Sequence, residues 1–175
     1  WDTNDGVPEA LIKPVFEPCW LKRADFHAIH REDVTFVRTS AELQEVIAEY
    51  ALLGIEHVVI NEHLKGDLVK FYGVAGTDFF YWFYPQEGNH SKFGLEEING
   101  APSGIPFSEE GLHQLCSDAA KVLDVTVYGG DCIVAPDGTI RIIDFNDWPS
   151  FAPCRQEAAK AIGGIIIRKV ENVGL

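Results

Sequence analysis

Asp131, Asp144 and Asn146 are the residues of this sequence whose types and spacing point most directly to chemistry. They lie in VTVYGGDCIVAPDGTIRIIDFNDWPSF, residues 125–151, which reads as two apolar strands joined by a turn at Pro136-Asp137-Gly138. Proline presets the first corner of such a turn and glycine accepts a positive φ near its end. Asp144 and Asn146 are two apart, so they share one face of a strand. With a four-residue loop at the turn, Asp131 falls opposite either Asp144 or Ile142, the neighbour on that face. Cβ atoms across such a pair lie about 5 Å apart. Three oxygen donors converging on one point suit Mg²⁺, which takes oxygen ligands and shares them with substrate phosphates. A lone carboxylate in a buried strand is otherwise costly, although solvated acids at the ends of short strands would produce the same pattern.

The elements that must position this hairpin can be read in order. Residues 1–18 are rich in Asp, Pro and Glu and read as an irregular lead-in. Strands are expected at 19–23, 34–38, 57–60, 68–74 and 78–84. Thr39 or Ser40 caps a helix to about residue 51, with Leu43, Ile47 and Ala51 on its apolar face and Gly54 beyond its end. Residues 85–106 have no periodicity and form a long loop, a length usually reserved for functional or mobile segments. A second helix opens at Phe107 or Ser108, with a stripe of Leu112, Leu115, Cys116, Ala119 and Val122. A third runs from about 154 to 170, with Ala158, Ala159, Ile162 and Ile166 inward. The order of elements gives an α+β fold.

An acid on one strand, then an acid and an Asn two apart on the next, followed by a proline-containing loop, resembles the metal-binding end of ATP-grasp enzymes; here the late motif stands as Asp144-Phe145-Asn146-Asp147-Trp148-Pro149. The resemblance covers about residues 18–167. It is similar to ligases of the RimK and glutathione-synthetase sort and to the inositol trisphosphate kinase branch. It implies two α+β lobes with the nucleotide site between them: a small lobe at 19–84 with a hinge at 61–67, and a C-terminal lobe at 85–175 carrying the metal hairpin. It implies ATP and Mg²⁺ as cofactors, with Asp131, Asp144 and Asn146 holding the metal.

Further roles follow from the resemblance position by position. Lys22 stands where a first-strand lysine reaches the α-phosphate. Glu62, His63 and Leu64 stand at the hinge that pairs with the adenine edge, and Asp67 at the partner of the ribose hydroxyls. Lys70 stands where a cation faces the γ-phosphate or an acidic substrate, and Arg155 could steady an acyl-phosphate or a carboxylate. The implied reaction is activation of a carboxylate as an acylphosphate and its capture by an amine, with small-molecule substrates. Direct phosphorylation of a hydroxyl and nucleotide binding without turnover are the alternatives. The sequence departs from the family at residues 24–33. They hold no glycine to cover the phosphates by backbone N–H groups, and carry His27, His30 and Arg31 instead.

Composition bounds these readings. The 175 residues are 46% hydrophobic and 11% aromatic, enough for a packed core. A net charge of −13 argues against nucleic acid or an anionic membrane as the main partner. Four cysteines without a CxxC pair fit neither a zinc site nor a disulfide scaffold. No signal or membrane-spanning segment is evident, so a cytoplasmic setting is expected. The absence of Met leads us to expect a piece of a longer chain. Oligomeric state leaves no mark in the sequence.

Overall fold

The structure is a computed structural model that describes residues 1–11, 16–25, 30–85 and 95–173. Its order is β1 (Cys19–Arg23), β2 (Val34–Val37), α1 (Ser40–Leu52), β3 (Val58–Glu62), β4 (Asp67–Val74), β5 (Phe80–Phe83), α2 (Glu109–Val122), β6 (Val127–Val134), β7 (Ile140–Asp147) and α3 (Arg155–Val173). This is the α+β fold expected. The chain divides into two compact units, Trp1–Leu64 and Lys65–Leu175.

In the first unit β1 is the centre of an antiparallel sheet of order β2-β1-β3. Its alternation sends Cys19 and Leu21 to one face, where they join Val37, Val58 and the Leu43, Ile47 and Tyr50 side chains of α1 in a core. Thr39 caps α1 by accepting from the Glu42 N–H, and the Glu42 carboxylate reaches back to accept from the Arg38 N–H at 2.6 Å. Two orphan donors at the helix start are thereby satisfied. Tyr50 is buried and its hydroxyl donates to the Glu32 carbonyl at 2.6 Å, so it occupies the inner face beside the expected Leu43 and Ile47.

The second unit holds a four-stranded antiparallel sheet of order β5-β4-β6-β7. The boundary expected at 84/85 therefore falls elsewhere. β4 pairs along its whole length with β6, from Asp67↔Val134 to Val74↔Val127, and so belongs with the β6–β7 hairpin and not with the first lobe. One face of the sheet, through Val69, Phe71, Tyr128, Cys132 and Val134, packs on Leu112, Cys116 and Ala120 of α2. Burial of each such large side chain contributes about 2 kcal/mol. Leu115 and Val122, expected in the stripe, are exposed, because the buried row runs at i, i+4, i+8 through 112, 116 and 120.

On the other face, Val127, Phe151, Cys154 and Ala158 cluster with Tyr72 and Ile162. Ala159 and Ile166 of α3 turn outward, contrary to expectation; Ala158 and Ile162 fill the inner row. The expected loop 85–106 contains a 3-10 turn at Leu95–Asn99, and its residues 86–94 lie outside the described ones. Among the described residues no helix is long and apolar enough to cross a membrane.

Two glycines of α and β context make opposite predictions. A Cβ at Gly130 in β6 would meet the Asp144 carbonyl and the Phe71 ring, whereas one at Gly163 in α3 meets nothing within 4 Å. Gly130→Ala should lower stability by about 3 kcal/mol, the upper range for overpacking. Gly163→Ala should raise it by about 0.5–1 kcal/mol through helix propensity. Urea denaturation of the two variants checks both signs.

Candidate active site

The hairpin that carries the carboxylates is tighter than a four-residue loop. Gly138 donates to the Ala135 carbonyl at 2.8 Å with φ at 81°, and Ala135 donates to the Thr139 carbonyl at 2.8 Å. The strands then pair Val134↔Ile140, Ile133↔Arg141 and Cys132↔Ile142. Continued regularly, that register would set Asp131 opposite Ile143 and turn Asp144 toward α2. A bulge between Asp131 and Cys132 inserts Ile143 and places Asp131 opposite Asp144. One inserted residue thus moves Asp144 and Asn146 from the core face to the face that carries Asp131. Of the two partners expected for Asp131, the structure selects Asp144.

The glycines beside Asp131 make this possible. Gly130 lets the Asp144 backbone approach, and Gly129 leaves room for the Pro149 ring and Tyr72. Pro149 lies in the loop leaving β7, where Trp148 and Phe151 both hold positive φ, at 44° and 50°. Bulky residues adopt that region only when packing holds them there. Phe151 is buried against Tyr72 and Phe79, which supplies the restraint.

The cation of the site comes from β4. Lys70 and Asp131 are cross-strand partners, and the Lys70 Nζ lies 3.1 and 3.2 Å from the two Asp131 carboxylate oxygens. The same Nζ is 3.3 Å from Oε1 of Glu96 in the 3-10 turn. These side chains are largely shielded: 15% exposed for Lys70, 25% for Asp131 and 13% for Glu96. Asn146 Nδ2 donates to Asp144 Oδ2 at 2.6 Å. One ammonium therefore serves a neighbourhood of three carboxylates.

The electrostatics follow. Burial pushes the Asp131 carboxyl above its ordinary value, Asp144 and Glu96 add to the rise, and Lys70 opposes it. Burial pulls the Lys70 amine down, but the charges of Asp131 and Glu96 outweigh it and the net shift is upward. Asp131 thus has one ammonium close by, which it shares with Glu96.

The donor set fits Mg²⁺. Among the described residues no three His, Cys, Asp or Glu side chains are grouped as a metal cage. Two carboxylates and an amide oxygen on adjacent strands are nonetheless the hard oxygen set that Mg²⁺ uses when it keeps waters and substrate phosphates as its other ligands.

The remaining expected residues are placed as follows. Lys22 in β1 alternates away from the α1 core, on the face where Trp20, Phe36 and His63 gather their rings. Trp20 Nε1 donates to His63 Nδ1 at 3.2 Å and the His63 N–H donates to the Pro18 carbonyl. Glu62 is exposed at the end of β3 and Leu64 is half-buried. Arg155 is exposed in the first turn of α3. Asp67 corrects its expected ribose role. It is buried, and its two oxygens accept from the backbone N–H groups of Ser103 and Ile105 at 2.7 and 2.8 Å. The carboxylate fastens the loop before α2. In residues 24–33, His27 lies outside the described residues, while the His30 N–H and Arg23 both donate to buried Asp33.

Two features escaped sequence reasoning. Glu96 sits in an aperiodic loop, and its acidic Glu96-Glu97 pair was the available signal. The Gly129-Gly130 pair inside an apolar run was a readable sign of close backbone approach. A separate cleft of about 340 Å³ between α3 and the end of β7, lined by Val125, Trp148, Ile162, Ile165 and Lys169, contains none of the expected site residues.

No family model and no curated protein matches the chain. Among solved structures it is similar to D-alanyl-alanine synthetase A from Vibrio cholerae O1 biovar eltor str. N16961, with a TM-score of 0.51, 15% identity and coverage of 78% of this chain. It spans 44% of that synthetase's length. At this identity the likeness shows the fold, which is the ATP-grasp fold that the sequence resembles.

Two outcomes test the roles just described. Asp67→Ala removes the acceptor of two partly buried amides and should cost about 1–3 kcal/mol of unfolding free energy, measured by denaturant titration. All four cysteines are buried and unpaired, and burial pushes the Cys154 thiol up to about 11 and Cys132 to about 12. Ellman's reagent at neutral pH should therefore find no fast-reacting thiol in the native protein and all of them in denaturant.

Proposed function

We propose that the chain is part of an ATP- and Mg²⁺-dependent ligase that activates a small-molecule carboxylate as an acylphosphate for attack by an amine. The observation that carries this reading is the convergence of Lys70, Asp131, Asp144 and Asn146 on one sheet face through a bulge. The fold likeness to an alanyl-alanine synthetase supports an ATP-dependent ligase in general terms.

In this reading Asp131, Asp144 and the Asn146 amide oxygen hold the metal, which when bound offsets the charge of the nucleotide phosphates. Lys70 presents its ammonium to the transferred phosphoryl group, a position a point cation suits. Within the first unit, Lys22 keeps the phosphate-binding role and Glu62, His63 and Leu64 the adenine-edge role that the resemblance implies. Arg155 steadies the substrate carboxylate. No side-chain nucleophile is required, because positioning and charge neutralisation lower the barrier.

Calorimetric titration of ATP with and without Mg²⁺ tests the reading. The wild-type chain should bind ATP in a Mg²⁺-dependent manner, and Asp144→Ala should weaken that binding by about tenfold or more. Binding that is indifferent to Mg²⁺ and to the mutation would sink the metal assignment. With an acceptor in hand, release of free phosphate with loss of an amine indicates a ligase; phosphate retained on the acceptor indicates a kinase instead.

A further inference from the structure

The cleft of about 340 Å³ between α3 and the end of β7 lies apart from the Lys70 and Asp131 cluster. That volume stands at the small end of the range for sites that hold an organic molecule. Its floor is apolar, with Val127 buried and Ile162 and Ile165 half-buried. Two carboxylates, Asp124 and Asp147, and one ammonium, Lys169, also line it. Lys169 Nζ donates to Thr126 Oγ1 on the wall at 3.5 Å. One of the two acids is thus offset, and the lining keeps one net negative charge.

Trp148 distinguishes this cleft from a plain gap between elements. Its φ is 44°, a left-handed backbone that is unfavourable for a bulky residue. Phe151 shares that conformation and is buried. Trp148 is not buried: its N–H donates to the Val127 carbonyl at 3.0 Å, while the residue stays 66% exposed. A strained backbone therefore holds an accessible indole in the lining of the cleft. Among side chains, the indole ring attracts an organic cation best.

We infer that this cleft binds a small organic monocation, an amine whose apolar body covers Val127, Ile162 and Ile165 and whose ammonium meets Asp124, Asp147 and the Trp148 ring. The charge count selects a cation, since an anion would meet two acids and one base. The apolar floor selects an organic body, since a bare metal ion would leave it uncovered. The inference does not depend on the ligase reading, because the lining contains none of Lys70, Asp131, Asp144 and Asn146.

The probe is 2-phenylethylamine, a cation at neutral pH. It is set against 2-phenylethanol and 3-phenylpropionate, which carry a similar body with no charge and a negative one. Each of the four tryptophans contributes one indole N–H signal to a nitrogen-15 correlation spectrum of the chain, and Trp148→Phe assigns the one at the cleft. At low ionic strength, where exposed charges are least screened, the amine should shift that signal saturably. It should bind about fourfold more tightly than the alcohol, the worth of one unit charge at about 5 Å in water. The propionate should bind more weakly than the alcohol. Asp147→Asn should weaken the amine about fourfold and Lys169→Met should tighten it by a similar factor, with the alcohol unmoved by either.

An amine that leaves the Trp148 signal unmoved would overturn the inference. So would an amine that binds no better than the alcohol, which would reduce the cleft to an apolar crevice. Changes of the same sign in Asp147→Asn and Lys169→Met would overturn it as well, because distortion and not charge would then govern binding. The other three indole signals report whether each variant keeps its fold. If Asp147→Asn loses it, Asp124→Asn takes its place with the same expectation and the same power to overturn.

Discussion

Asp131 and Asp144 face one another across β6 and β7, and two carboxylates so placed repel unless something cationic lies among them. Much of the second unit can be understood from that constraint. β4 must pair with β6 in the register that sets Lys70 beside Asp131. Asn146 must donate to Asp144. The turn at Leu95–Asn99 must bring a third acid to the far side of the lysine. The sheet's other face makes no such demand; it is filled by apolar side chains and one helix.

The bulge at Ile143 is the device that creates the constraint. Regular pairing would have given a quieter hairpin, with Asp144 turned into the α2 core and the two acids on opposite faces. A buried unpaired carboxylate there would cost more than the bulge does. The irregular pairing is therefore both the lower-energy solution for this sequence and the one that assembles oxygen donors. The packing of Pro149 over Gly129 and of Phe151 on Tyr72 holds the chain that leaves the strand, despite two bulky residues in the left-handed region.

Much of this was legible in the sequence, for identifiable reasons. Period-two alternation and the Pro-Asp-Gly turn placed Asp131, Asp144 and Asn146 on adjacent strands. A charged residue within LVKFYGV singled out Lys70. The facing partner of Asp131 could not be decided, because a bulge has no local code beyond the paired glycines next to it. Asp67 was misjudged because its partners, the amides of Ser103 and Ile105, are remote in sequence. Glu96 was missed because an aperiodic loop offers no face from which to infer direction. In α3 the run AIGGIII is apolar on every side, so periodicity could not choose the inner row, and the placement of Ala158 and Ile162 was settled by packing against Val127 and Phe151.

The pairing of β4 with β6 has a consequence for how the molecule assembles. β6 and β7 meet through a short turn and can zip early, but Lys70 reaches Asp131 only after the whole stretch between Val74 and Val127 has been folded back and its closure entropy overcome. The pairing of β4 with β6, distant in sequence, is thus also the contact that brings an ammonium to the facing acids.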